Sequence, residues 1–190
     1  MRSRILTRDG TSRRNLDARL TRMAQLTTIY LHTTVASELR PRHSSDPRFV
    51  VREAVVPQWQ LNRFLYFLVG EEWEWVDKRS WSDQRWRDYV ASEGLRTFVA
   101  FLEGNIAGYY ELSRDEAGAV EIAYLGLASQ FIGRGLGAAL LTDALERAWA
   151  WGACRVWVHT CTLDHPAALK NYEARGMSVY DRQTEGYSEG

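Results

Sequence analysis

The chain has 190 residues, 45% of them hydrophobic, and its 24 Lys and Arg are balanced by 24 Asp and Glu. That is enough apolar material for one full core, and a formal charge of zero gives no overall field to draw nucleic acid or an anionic membrane surface. No apolar run approaches the roughly 20 residues that span a bilayer, and no apolar N-terminal core precedes a cleavage site, so the expectation is a cytoplasmic protein with neither a nucleic-acid nor a membrane partner. Cys154 and Cys161 have neither metal-ligand spacing nor a disulfide framework; they read as packed free thiols, and no metal is implied.

Residues 1–22 carry seven arginines against two aspartates, which reads as a basic, flexible arm ahead of a single domain over residues 23–190. An exposed extension, a start at Met23 and an Arg-rich transit-type segment all fit that composition. Thr27 to Val35 is β-branched and aromatic enough for a strand, Arg40 to Pro47 is a loop, and Phe49 to Val55 is a second strand. Pro57 then suits a first helical turn, and Trp59, Leu61, Phe64, Leu65, Phe67 and Leu68 recur at helical spacing up to Gly70.

From Glu71 to Tyr89 the composition changes to aromatics set among charges, with Trp73, Trp75, Trp81 and Trp86 close together and Ser82-Asp83 as a helix cap. Two readings fit: a satellite core beneath a short helix, or an aromatic pocket for an apolar or cationic substrate, with Trp73 and Trp75 on its wall. Thr97 to Leu102 and Ile106 to Leu112 flank Glu103-Gly104-Asn105 and read as a hairpin; a second turn at Arg114 to Ala119 leads into a third antiparallel strand.

Val120 to Leu127 is a nearly continuous apolar run with one acid, as expected of a strand buried on both faces. Behind it Gly133, Gly135 and Gly137 fall within five positions before Ala138-Ala139-Leu140-Leu141 settles into helix. Glycines there let the backbone turn tightly with its N–H groups outward, and the helix N-terminus adds partial positive charge; both suit a phosphate or pyrophosphate. The helix runs to about Gly152, Arg155 to Thr160 is a strand, Pro166 to Arg175 a last helix closed by Gly176, and Met177 to Tyr180 a final strand.

Three motifs compete for the glycine loop. Gly133, Gly135 and Ala138 match the dinucleotide fingerprint, with Asp164 as the ribose acid, but Ala128 to Ile132 separate the glycines from their strand and too little chain follows Asp164 to complete a parallel half. No Gly-Lys-Ser/Thr follows, which excludes a P-loop. Gln130-x-x-Gly133-x-Gly135 resembles the Q/R-x-x-G-x-G/A motif of the GNAT superfamily of N-acetyltransferases. A second segment agrees: His165, Ala168, Tyr172, Gly176 and Met177 keep the spacing of the family's N-x-x-A-x-x-x-Y-x-x-x-G-F helix, with His in place of Asn and Met in place of Phe.

The resemblance implies a mixed α/β, GNAT-like fold: a central, mostly antiparallel mixed sheet splayed at the cofactor strand and flanked by helices. It implies acetyl-CoA as cofactor and direct acetyl transfer to the primary amine of a small molecule, with a homodimer left open. Leu127, Ile132, Gly133, Arg134, Gly135, Leu136, Gly137, Ala138, His165 and Ala168 would then hold the cofactor, and Gly126 would ease the approach of its pantetheine arm. Tyr172 stands where the family's phenol protonates the departing sulfur. For the base, Glu121 stands alone in an apolar strand, where a carboxylate has a raised pKa; Glu111 on the neighbouring strand competes for that role and is placed at the substrate. A catalytically silent acyl-CoA-binding sensor is the alternative, which would need the glycine loop but neither acid nor base.

Overall fold

The computed structural model describes residues 23–73 and 75–188, so the arm expected over residues 1–22 lies outside the described residues. The strands are β1 (Met23–Thr33), β2 (Phe49–Glu53), β3 (Leu95–Leu102), β4 (Asn105–Arg114), β5 (Ala119–Leu127), β6 (Arg155–Cys161) and β7 (Ser178–Ser188). The helices are α1 (Trp59–Gly70), α2 (Asp83–Val90), α3 (Leu136–Ala150) and α4 (Ala168–Ala174). The strands form one sheet in the order β2-β3-β4-β5-β6-β1-β7, antiparallel throughout except where β5 meets β6. The mostly antiparallel mixed sheet expected from the resemblance is therefore present.

Local chemistry accounts for the meander. Glu103 and Gly104 both take positive φ, 52° and 82°, the backbone of a two-residue hairpin turn that matches strand twist. Gly118, at φ 87°, turns β4 back into β5. The Ser82 hydroxyl accepts from the Arg85 N–H at 3.3 Å and starts α2 as its sequence foretells.

Two cores lie on opposite faces of the sheet. On one face Leu140, Leu141, Ala144, Leu145 and Ala148 of α3 cover Phe98, Tyr110, Leu112, Val120, Ile122, Val156 and Val158. On the other, Leu65 and Val69 of α1 pack on Val99 and Tyr109, with Trp75 and Tyr124 against them.

A bulge in the β4–β5 ladder decides which side chains reach which face. Glu111 pairs with Tyr124 but Leu112 with Ile122, so Ala123 is an extra residue in β5. Ile122 accordingly joins the α3 core, while Tyr124 turns to α1.

The outer strands depart from the sequence reading. β1 begins at Met23 and lies between β6 and β7, and β7 extends to Ser188 rather than ending at Tyr180. Residues 181–186 are exposed and polar, so this edge pairing leaves no apolar alternation to read. Cys154 is exposed on the turn before β6, not packed. No described helix is long and apolar enough to cross a membrane.

β5 is held to β4 at very close quarters. A Cβ on Gly108 would stand 2.3 Å from the Gly126 carbonyl oxygen, a backbone atom that cannot swing aside. Gly108→Ala should therefore cost about 1–3 kcal/mol, read as a lowered denaturant midpoint at unchanged m-value; an unchanged midpoint would contradict this packing.

Candidate active site

β5 and β6 pair only at Ala119↔Arg155, Val120↔Val156 and Glu121↔Trp157. Beyond that point β5 stays with β4 as far as Leu127, and β6 stays with β1 as far as Cys161. The sheet is thus split by a wedge whose walls are β5 from Ile122 onward and β6 from Val158 onward. The bulge at Ala123 lies where the strands part, and bulges bend and twist the strand that carries them.

The ladder phase shows what lines the wedge. The Ala128 N–H donates to the Ala107 oxygen at 3.0 Å, which makes Gly108↔Leu127 a non-hydrogen-bonded pair. The N–H groups of Leu127 and Leu125 therefore point away from β4, into the wedge. Gly126 serves a different purpose from the one its sequence suggests: a Cβ there would lie 2.4 Å from Val69 Cγ1, so it makes room for α1.

At the end of β5 a 3-10 turn over Ser129–Phe131 leads into the glycine loop. Gly133 and Gly135 take φ of 79° and 77°, and a Cβ at either would meet open space, so it is the left-handed backbone that asks for glycine. Gly135 is the N-cap of α3 and supplies no side-chain cap, leaving the first-turn N–H groups of Leu136, Gly137 and Ala138 without an intrahelical acceptor. Ile132 is a correction: its N–H is already engaged by the Ser129 oxygen at 3.2 Å. Leu136 is buried against Phe131 and Ala128, while Arg134 is exposed, its guanidinium 5.2 Å from the Phe131 ring centre.

α4 is tied to this loop by a residue the sequence did not flag. Asn171 Nδ2 donates to the Gly137 oxygen at 3.1 Å, holding the start of α3. Ala168 opens α4, preceded by His165, whose Nδ1 accepts from the Ala167 N–H at 3.0 Å. The His165 ring meets Trp73 edge-on at 5.0 Å, joining the segment after α1 to the loop after β6. Tyr172 is buried in the α3 core, and its hydroxyl makes no hydrogen bond to another described residue. Burial, with the Asp164 carboxylate nearby, pushes its phenol above its ordinary value, so it keeps its proton at any physiological pH.

The opposite face of the sheet carries the acids. Glu121 alternates with Val120 and Ile122 of the α3 core and so projects to the α1 side. It is not isolated among apolar groups: His159 Nδ1 of β6 lies 3.4 Å from its Oε1. That partnership, stronger than the desolvation opposing it, raises the His159 pKa above 6.5. The pair could not be read from the sequence because its members meet only across the β5–β6 junction.

Glu111 is almost wholly buried, 2% exposed, and accepts from Asn62 Nδ2 at 2.8 Å and from the Tyr89 hydroxyl at 2.5 Å. Burial raises its pKa, against the pull of Tyr89, Asn62 and Lys78. Around it the tryptophan segment packs as a core: Trp86 is buried against Trp81 and Tyr66, and Trp75 lies 4.9 Å from Tyr124 and 6.2 Å from Tyr109. Glu111 and Trp75 thus belong to a packed polar and aromatic cluster.

Residues 60–177 match the model of the acetyltransferase (GNAT) family. Uncharacterized N-acetyltransferases of Mycobacterium tuberculosis and Mycobacterium bovis are 35% identical over 103 residues, covering 54% of this chain and 65% of theirs. The chain thus spans slightly less than two thirds of the length of these relatives. Among solved structures, a GCN5-related N-acetyltransferase from Sphaerobacter thermophilus superposes with a TM-score of 0.63 at 20% identity, over 87% of this chain and 53% of that one. An aminoglycoside acetyltransferase from an uncultured soil metagenomic sample, in complex with sisomicin, gives 0.57 at 17% identity, over 70% and 90%.

A raised histidine pKa contributes stability that is fully present below the unfolded value near 6.5 and is lost as pH climbs through the folded value. NMR titration should place the His159 midpoint above 6.5, and Glu121→Gln should bring it down; a midpoint unmoved by the substitution would separate the two residues.

Proposed function

Because the chain belongs to the acetyltransferase (GNAT) family, we propose that it transfers an acetyl group from acetyl-CoA to the primary amine of a small molecule by direct attack, with no covalent enzyme intermediate. The observation that carries this reading is the wedge between β5 and β6, which runs into a glycine loop and an uncapped helix start. A thioester carrier needs both: an anion site for its pyrophosphate and a slot with free backbone donors for its arm.

The N–H groups of Gly133 to Ala138, with the α3 N-terminus, would hold the pyrophosphate, and Arg134 would add charge beside it. The edge of β5 would hold the arm, with the Leu127 N–H as the donor that polarises the carbonyl. His165 and Ala168 would line the α4 side. Acetyl-CoA, when bound, supplies the activated acetyl thioester.

The chain's own residues then move the protons. Glu121 orients His159 through Nδ1, and neutral His159 takes a proton from the incoming ammonium, so the amine attacks as the free base. Tyr172 holds a proton beside the wedge for the departing thiolate. Burial makes it a weaker acid than a free phenol, but the same burial makes a thiolate formed beside it a stronger base. Trp73, the tryptophan of the segment after α1 that meets the loop at His165, favours an aromatic or hydrophobic acceptor, and the sisomicin complex of the metagenomic neighbour brings aminoglycosides into the trial set.

The test is release of free thiol from acetyl-CoA with a panel of aromatic, alkyl and aminoglycoside amines. Tyr172→Phe should lower turnover about tenfold or more with cofactor affinity nearly unchanged. Rate should rise with pH through a midpoint above 6.5, as His159 loses its proton. Tight acetyl-CoA binding with no thiol release for any amine would overturn catalysis in favour of a cofactor sensor.

A further inference from the structure

The basic residues of this chain are distributed unevenly: of 24 Lys and Arg, only Lys78 and Lys170 are lysines. Lys170 is exposed on α4, whereas Lys78 is 6% exposed. The Lys78 Nζ lies 3.9, 4.4 and 4.9 Å from the ring centres of Tyr124, Tyr89 and Trp81, an aromatic cage of the kind that accepts an ammonium. Its stem is fixed from behind, because the Lys78 N–H donates to the Tyr66 hydroxyl at 3.2 Å and that hydroxyl donates to Asp77 at 3.0 Å.

Three features set Lys78 apart from a buried counter-ion. Its Nζ donates to the Tyr124 hydroxyl at 2.6 Å, and that hydroxyl in turn donates to Asp77 Oδ2, so a relay runs from the amine to a half-exposed carboxylate. Tyr124 stands on β5 just past the point where β5 leaves β6, so the amine is bonded to a side chain carried by the stretch of β5 that forms the wedge. The field of Glu121 reaches it, so Lys78 shares the acidic face of the sheet with the Glu121–His159 pair. Burial also disfavours its charged form, against the pull of Glu111 and Asp77.

We propose that Lys78 is a site of self-acetylation: the caged amine is an acceptor built into the chain, taking an acetyl group from acetyl-CoA. This rests on the acetyl transfer proposed above. The Nζ lone pair forms a bond to the acetyl carbon as the carbon–sulfur bond breaks. That lone pair is freed when the ammonium first gives one proton to solvent through Tyr124 and the half-exposed Asp77. During the attack a second Nζ hydrogen passes to Tyr124 as Tyr124 passes its own to Asp77. The departing thiolate takes up one proton from solvent as Asp77 gives its own back, so one proton is released overall. The products are Nζ-acetyl-Lys78 and free coenzyme A thiol, and the cation between Glu111 and Asp77 becomes a neutral amide.

The two-lysine composition makes the experiment clean. The full chain is incubated with acetyl-CoA and digested, and acetylation is followed at Lys78 and at Lys170, the exposed control for uncatalysed reaction. Lys78 should gain one acetyl group about tenfold faster than Lys170 or more, at a rate independent of protein concentration, and Tyr124→Phe should slow it by a similar factor. In parallel, competitive labelling of the coenzyme-free chain with acetic anhydride should give Lys78 a reactivity midpoint at lower pH than Lys170. An unmodified Lys78 in a chain that still binds acetyl-CoA overturns this proposal alone. Failure to bind acetyl-CoA overturns the underlying transfer reading with it. A labelling midpoint at or above that of Lys170 marks Lys78 as a fixed counter-ion and also overturns the proposal.

Discussion

The parting of β5 from β6 after three residue pairs is the constraint on which the rest of the structure depends. A sheet that stayed zipped to Leu127 would spend every β5 donor on a neighbour and leave no slot. Here the ladder with β4 is kept, the ladder with β6 is given up, and the N–H groups of Leu125 and Leu127 face the gap. The extra residue at Ala123 does two things at once. It bends the strand where the pairing ends, and it turns Tyr124 to the α1 face while Ile122 stays in the α3 core.

The two faces of the sheet are specialised around that gap. Toward α3 and α4 lie apolar residues, the glycine loop and the protonated Tyr172, tied together by Asn171 on the Gly137 carbonyl. Toward α1 and α2 lie Glu111, Glu121, His159, Asp77 and Lys78, set among aromatic rings. Burying such charges yields little net stability when they are paired, but a buried charge with no partner is costly, so the members hold one another in place. The groups that steady the Glu111 carboxylate come from separate elements: Asn62 from α1, Tyr89 from α2, and the field of Lys78 from the loop between them.

Much of this was legible in the residue order, and the remainder was hidden for definable reasons. The hairpin at Glu103-Gly104, the Ser82 cap and the left-handed Gly133 and Gly135 are local rules, and each sits where the local chemistry demands. The place of β1 between β6 and β7 and the polar half of β7 depend on pairing between distant stretches of chain, which no local pattern encodes. Gly126 was read as space for a ligand but is filled by Val69, because a glycine reports close approach without saying what approaches. Glu121 carried its signal as a lone acid in an apolar strand, yet its partner His159 lies one strand away; Lys78, one charge among many in a tryptophan-rich stretch, becomes distinctive only when three rings close around it.

The central claim is that the wedge and glycine loop hold a thioester carrier, and its most direct test is the melting temperature of the chain with acetyl-CoA, NADH or NADPH. A ligand at a hundred times its dissociation constant adds about 2.7 kcal/mol to the native state, several degrees for a chain of this size. Acetyl-CoA should produce that rise, and neither dinucleotide should. A rise with NADH or NADPH alone would contradict the claim and return the glycine loop to the dinucleotide-binding reading.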